Sequence, residues 1–189
     1  MDTVNYAGDM LLAMPGIGDP RFERAVIAMC VHDADGAMGI GIGSNMDGGL
    51  GEIGLHGLMR QLGLDPGEAP DMPVLSGGPV EPRRGFVLHS LDWTGQESIN
   101  VGGRWGLSGS MDVLKAIAEG RGPDRYLVAL GYAGWGKGQL EEEMTRHGWA
   151  VVPATEAILF DTPPGERWSA AFGASGIDAS HLSSRSGHA

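Results

Sequence analysis

The chain holds a single cysteine, Cys30, among 189 residues. That excludes an intramolecular disulfide and a structural zinc site built on several thiolates. Apolar runs stay well short of the ~18 residues a membrane-spanning helix needs. The opening segment, Met1-Asp-Thr-Val-Asn-Tyr-Ala-Gly-Asp9, lacks the basic and apolar regions of a secretory signal. The expectation is a cytoplasmic protein that makes no membrane contact. Basic residues are also scarce, 13 against 24 acidic ones, for a net charge of −11. A field of that sign repels phosphate backbones and anionic lipid. The best basic candidate, Arg83-Arg84, reads as two solvated arginines in a turn, and no helix-turn-helix signal stands out. Direct nucleic-acid binding is not expected.

Glycine is what the chain has in excess: 33 residues, a share more than twice the usual ~7%. The glycines follow no collagen-like period. They punctuate apolar segments, which predicts tight turns and close backbone approaches. Hydrophobic content of 42% supports a core, and the length suits one domain.

Local patterns give a coarse map. Met10 to Met14 is a short apolar run, and Asp19-Pro20 reads as a helix N-cap followed by proline at the first position. Ala25 to His32 is a strand buried on both faces, Asp33 to Gly36 a hairpin turn, and Ala37 to Gly43 the returning strand. Gly39, Gly41 and Gly43 fall on one face there, leaving room for another backbone or an aromatic ring. Leu50 to Leu62 has helical spacing despite three internal glycines. Gly85 to Leu91, Arg125 to Tyr132, Trp149 to Val152 and Ala157 to Phe160 read as strands. Val101 to Leu107 is too glycine-rich to assign. Helices are predicted over Met111 to Glu119, capped by Ser110, over Gln139 to His147, and after Pro163-Pro164. Hairpins mixed with strand–helix units indicate an α+β fold.

The most suggestive motif is a glycine-rich elbow, Gly131 to Glu141. A strand, a glycine loop carrying Lys137, and a helix is the layout that cradles phosphate. A nucleotide P-loop needs Ser or Thr after the lysine, and Gly138 stands there. Glu141, Glu142 and Glu143 already complement the helix dipole and would repel an anion. The elbow therefore reads as a tight turn with Trp135 packed as a lid, and Glu142–Arg146 and Glu143–His147 as helix surface pairs. Cys30 and His32, two apart on a strand, share a face, but so apolar a run favours a core cysteine over a nucleophile. His89, beside Val87 and Leu88, reads as a hydrogen-bonded core histidine. Ser76-Gly77-Gly78-Pro79 lacks the order of a nucleophile elbow; it reads as a strand-ending turn, or as a nest of backbone N–H groups for an anion. His56, His147, His181 and His188 show no metal-ligand spacing, so neither metal nor cofactor is expected.

Several segments in order resemble one family. They are Leu12-Ala-Met-Pro15, Asp19-Pro20-x-Phe22, Gly36-Ala-Met-Gly39, Gly77-Gly78-Pro-Val80, Val87-Leu-His89, Asp112-Val-Leu114, Gly131-Tyr-Ala-Gly-Trp135 with Gly138-Gln-Leu-Glu141, Phe160-Asp161, Arg167-Trp168 and Gly187-His-Ala189. Together they are similar to the YqgE/AlgH family of bacterial proteins over nearly the whole chain. The resemblance implies a single domain over residues 1–189, with a mixed, strongly curved β-sheet flanked by helices. It implies a cytosolic protein and no particular reaction. Members have carried the label of transcriptional regulator, from a genetic role in alginate control. Two stretches depart from the family pattern. Gly43-Ser-Asn-Met-Asp-Gly48 replaces an Asn-Arg/Lys-Pro sequence and removes a cation. Ser108-Gly-Ser110 stands where Thr-Thr/Ser is usual. Lys137 also stands where members often have a small residue.

Two functional readings follow. The first is a non-enzymatic regulatory protein that binds a protein partner or a small-molecule ligand. Its site would be formed by Tyr132, Trp135, Gln139 and Glu141, with Gly77, Gly78 and His89 nearby. The second is a hydrolase-type enzyme in which His89 or His188 works with Glu141 as acid and base. Direct transcriptional regulation has only the family label behind it.

Overall fold

The computed structural model describes residues 4–14, 24–43, 53–146 and 148–175. The Asp19-Pro20 cap, most of the stretch that replaces the family's basic motif, His147 and the segment after residue 175 with His188 lie outside them. Nine strands form one sheet: β1 (Asp9–Ala13), β2 (Val26–Asp33), β3 (Gly36–Gly41), β4 (Leu75–Ser76), β5 (Val80–His89), β6 (Ile99–Val101), β7 (Trp105–Ser108), β8 (Tyr126–Gly136) and β9 (Trp149–Pro153). The helices are α1 (Leu55–Gln61), α2 (Met111–Ala118), α3 (Gln139–Thr145) and α4 (Arg167–Ala174). The sheet order is β6-β7-β5-β8-β3-β2-β1-β9. Neighbours along it are antiparallel, and β4 adds a parallel pairing to β8, so the sheet is mixed. This is the expected α+β fold, with the sheet strongly curved.

The curved sheet has one interior and two outer layers. Met10, Leu12, Val26, Ala28, Ile40 and Leu88 face the interior with Trp105, and Trp168 and Phe172 of α4 fill it. Outside, α3 lays Leu140 over Leu11, Ile27, Met29 and Trp135. At the other end, α1 and α2 lay Leu58, Met59, Val113 and Ile117 over Val87 and Val128. Each fully buried aliphatic side chain contributes about 1.5–3 kcal/mol, so three shared cores fasten the helices.

Strand β8 joins the two halves and changes face on the way. Leu127 and Ala129 point inward, yet Ala133 and Trp135 pack on the outer side. A regular strand would keep all four on one face. The switch falls at Gly131, whose φ of 81° lies in the left-handed region. There the register with β5 shifts, from Gly85 opposite Leu130 to Val80 opposite Tyr132, and β8 takes up β3 at Ala133. Ser76 and Gly77 fill the gap: the Gly77 N–H donates to Leu130 O and the Gly41 N–H donates to Gly77 O, each at 2.7 Å.

Several sequence expectations need correcting. The strand predicted to end at Tyr132 runs to Gly136, because Ala133 to Gly136 pair with β3. On the bare glycine face, a Cβ at Gly39 would meet the side chains of Ile27 and Met29 and the Ala28 carbonyl, and one at Gly43 the backbone of Val26 and Arg24. The close backbone expected there is that of β2 and its lead-in, and the nearest atoms are not those of an aromatic ring. The unassigned stretch from Val101 to Leu107 is the β6–β7 hairpin, turned by Gly102 and Gly103 at positive φ. The segment Ala157 to Phe160 is not a strand but a π-helical turn, Ala157–Asp161. The Ile158 and Leu159 carbonyls accept from Nε and Nη2 of buried Arg167 at 2.9 and 2.7 Å, and its Nη1 donates to Ile42 O at 2.6 Å. Ser110 stands at the N-cap of α2 as expected, but its hydroxyl bonds the Asp112 carboxylate.

Candidate functional site

The elbow is strand for most of its length. Gly131 to Gly136 belong to β8, and only Lys137 and Gly138 make the turn into α3. Gly138 has φ 74°, a conformation that suits glycine. The Gly136 N–H donates to Gln139 Oε1 at 2.9 Å. Ala133 to Gly136 are thus paired with β3 as strand, and the Gly136 N–H is taken by Gln139.

Trp135 is buried at 7% exposure and meets Trp149 edge-on, with ring centroids 6.3 Å apart. It is a core residue between the sheet and α3. Gly77 and Gly78 do lie beside the elbow. A Cβ on Gly77 would overlap the Gly131 carbonyl, and one on Gly78 would overlap the Tyr132 peptide. Their lack of side chains lets two backbones touch. Tyr132 is half-buried and packs edge-on against Phe86 at 5.9 Å, and the Glu81 carboxylate beside it raises the phenol above its usual range.

Glu141 has a partner that sequence reasoning missed. Nε2 of His32 and Oε1 of Glu141 are 2.6 Å apart. The His32 side chain is 3% exposed and that of Glu141 49%. The Tyr6 N–H donates to Nδ1 at 3.1 Å, and the Tyr6 ring stacks on the imidazole at 5.2 Å with the planes 4° apart. Nδ1 is therefore an acceptor, and Nε2 carries the proton that it donates to Glu141. That hydrogen bond holds the Glu141 carboxyl below the usual glutamate range. Glu141 is consequently a fixed anion at neutral pH and a poor proton donor.

A β-bulge makes this contact. Met29 pairs with Gly39, but Val31 pairs with Met38, so β2 carries one extra residue. The bulge breaks the alternation that would place Cys30 and His32 together. Cys30 stays in the interior, where burial pushes its thiol up to about 12, and His32 turns out to Tyr6 and Glu141. The expected shared face does not exist. A sequence signal was present only as the polar end, His32-Asp33, of an apolar run.

His89 belongs to another place. It is 1% exposed, with Nδ1 2.9 Å from Ser90 O and Nε2 2.8 Å from Ser108 Oγ. It is the hydrogen-bonded core histidine expected, and its partners do not include Glu141. The structure thus joins Gly77, Gly78 and Tyr132 at one strand crossing, places Gln139 at the start of α3 and Glu141 on His32, and separates them from His89. Of the helix pairs, Glu142–Arg146 forms at 2.6 Å. Among the described residues no group of three or more His, Cys, Asp or Glu is arranged to hold a metal, and no helix is long and apolar enough to cross a membrane.

Fold and surface define an α+β protein with a curved sheet, a glycine-built strand crossing and a histidine-anchored surface carboxylate. The chain belongs to the AlgH-like family, whose model matches residues 10–180. It is 60% identical over 190 residues, spanning both chains fully, to a UPF0301 protein of Novosphingobium aromaticivorans. A UPF0301 protein of Rhizorhabdus wittichii is 59% identical over 182 residues, 96% of each chain. The solution structure of the AlgH protein from Pseudomonas aeruginosa superimposes with a TM-score of 0.79 at 39% identity, covering 100% of this chain and 98% of that one. A crystal structure of protein DIP2367 from Corynebacterium diphtheriae shares the fold, with a TM-score of 0.70 at 19% identity over 90% of this chain and 87% of that one.

Proposed function

We propose that this is a non-enzymatic regulatory protein of the cytoplasm. It acts as one domain over residues 1–189 and binds a cationic group of a partner protein or small ligand at the surface of α3. The observation that carries this reading is the aim of the Glu141 carboxylate. A buried histidine, fixed at both ring nitrogens, holds a half-exposed anion in one direction. Preorganised charge of this kind serves recognition, because the side-chain ordering cost is met before the partner arrives. Gln139 stands beside it, and Glu142 adds charge along the same helix turn. A regulatory role would be indirect, since the acidic chain repels nucleic acid. The hydrolase reading at this site is less well supported: His32 spends its proton on Glu141, and Glu141 stays ionised.

A thermal-shift series with arginine, spermidine and a lysine-rich peptide tests the reading. Stabilisation of the wild-type protein that is lost in Glu141→Gln supports it. Equal shifts in the two proteins argue that α3 is not the site.

A further inference from the structure

The loop after β5 and helix α2 form the walls of a groove, at the end of the sheet away from α3. It is an open space of about 450 Å³, within the range of small-molecule sites. Trp93, Gly95 and Gln96 line it from the loop, Asp112 and Lys115 from α2, and Arg121 from the turn that follows α2. Both walls are fixed by the protein itself. The Gln96 N–H donates to Asp112 Oδ2 at 3.0 Å and ties the loop to the first turn of α2. Gly95 permits that closeness, since a Cβ there would overlap Asp112 Oδ2 and the Trp93 ring. The Gly95 N–H donates to Ser98 Oγ at 2.8 Å, and Ser98 Oγ is hydrogen-bonded to Ser108 Oγ at 2.7 Å. Trp93 is half-buried: it packs beside the core under α1 and α2 and meets the His89 ring edge-on at 5.4 Å. On the other wall, Gly120 at φ 73° turns the chain out of α2, and the Arg121 N–H donates to Ala116 O at 2.9 Å.

The charge of the groove runs against that of the chain. The whole sequence has 13 basic residues against 24 acidic ones. The lining has two cations, Lys115 and Arg121, and one carboxylate, Asp112. That carboxylate is already engaged: Oδ1 accepts from the Ser110 hydroxyl and the Val113 N–H, and Oδ2 from the Gln96 N–H. The Lys115 ammonium has no ion-pair partner among the described residues. Arg121 gives its Nε–H to Glu119, which leaves both Nη groups for a further acceptor. The balance of the lining is one positive charge. It suits a single carboxylate, whereas a multiply charged nucleotide would meet the repulsion of a chain at −11. Beside the two cations stands an indole, a broad flat surface for another ring.

We propose that this groove binds a small aromatic monocarboxylate, with its ring against Trp93 and its carboxylate between Lys115 and Arg121. Each cation is exposed, so each ion pair is weak alone. Ring and charge together select the ligand: a neutral ring loses the two cations, and an aliphatic acid loses the indole. The loop and the turn are already in place, so little ordering cost falls on binding. This is recognition without bond-making, in keeping with a non-enzymatic protein. It does not rest on the α3 surface, which takes a ligand of the opposite sign through Glu141.

The test is titration of the nitrogen-15-labelled full chain with 2-naphthoate, with its neutral amide 2-naphthamide, and with AMP, followed in nitrogen–proton correlation spectra. With 2-naphthoate, saturable shifts are expected at the Trp93 indole N–H and at the Gly95 and Gln96 amides. Lys115→Gln and Arg121→Gln should each weaken that binding about threefold to fivefold, the weight of an exposed ion pair. 2-Naphthamide should bind more weakly than either variant binds the acid, and Glu141→Gln should leave the affinity unchanged. Trp93→Leu identifies the indole signal. Because Trp93 also packs on the core, the two charge variants, both at exposed positions, carry the affinity test. No saturable shift at Trp93, equal binding of the acid and its amide, or unchanged affinity in both charge variants overturns the proposal. Tighter binding of AMP than of 2-naphthoate also overturns it, by assigning the groove to a phosphate.

Discussion

Nε2 of His32 donates to Oε1 of Glu141 at 2.6 Å, joining the end of β2 to the first turn of α3 across 109 residues of sequence. The imidazole is buried and the carboxylate half-exposed. The bond is therefore directional: the interior fixes the ring, and the ring fixes the charge at the surface.

The tautomer of His32 follows from its neighbours. The Tyr6 N–H occupies Nδ1, so Nε2 bears the proton. Long-range nitrogen–proton correlation spectra at neutral pH should show Nε2 protonated and Nδ1 bare. Replacing Glu141 by glutamine should leave that pattern in place, because Tyr6 sets it.

The pair also contributes to stability in one pH range. The His32 hydrogen bond lowers the Glu141 carboxyl in the folded state. A lowered carboxyl binds its proton more weakly folded than unfolded, so its contribution is complete above the unfolded glutamate range. It is lost as pH falls through the folded value. Glu141→Gln should cost about 1 kcal/mol or less at pH 7, given the exposure of the carboxylate. Urea denaturation should show that difference vanish in strong acid.

The strand crossing should tolerate no side chain. In Gly131→Ala the new Cβ would overlap Gly78 O at a backbone that already has φ 81°. A loss of about 2 kcal/mol or more is expected in chemical denaturation. Gly138 is a control, since its φ is 74° but nothing lies within 4 Å of an added Cβ. Gly138→Ala should cost only the conformational strain, about 1 kcal/mol.

Arg167 should be indispensable to the fold. Its guanidinium serves the carbonyls of Ile42, Ile158 and Leu159. Arg167→Ala would leave three buried carbonyls without that donor and should cost about 3 kcal/mol or more. Arg167→Lys should recover little, because an ammonium lacks the planar fork that reaches all three. Thermal unfolding of the two variants checks this.

Much of the fold could be read from local pattern, and the reason shows in particular residues. The β2–β3 hairpin lay in an apolar run, an Asp-Ala-Asp-Gly turn and a second run, and Asp33 pairs with Gly36 as that order requires. Helix α2 lay in its apolar stripe, where Leu114 and Ile117 are buried. The failures came from long-range partners. Ile158 and Leu159 looked like strand until Arg167 claimed their carbonyls. His32 and Cys30 looked like neighbours until a bulge separated them, and Glu141 gave no local sign of His32. The glycines Gly77, Gly78 and Gly131 were rightly conspicuous, but their meaning was the contact of two backbones.

The binding role of the anchored carboxylate is tested most directly by calorimetric titration with a tetra-arginine peptide at physiological ionic strength. The proteins compared are the wild type, Glu141→Gln, His32→Gln and Glu97→Gln. The last variant removes the same charge from a loop remote in sequence from α3. The account predicts that affinity falls several-fold in Glu141→Gln and in the charge-neutral His32→Gln, and changes little in Glu97→Gln. Equal losses in Glu141→Gln and Glu97→Gln, with none in His32→Gln, would mean that the peptide responds to net charge alone, and would contradict it.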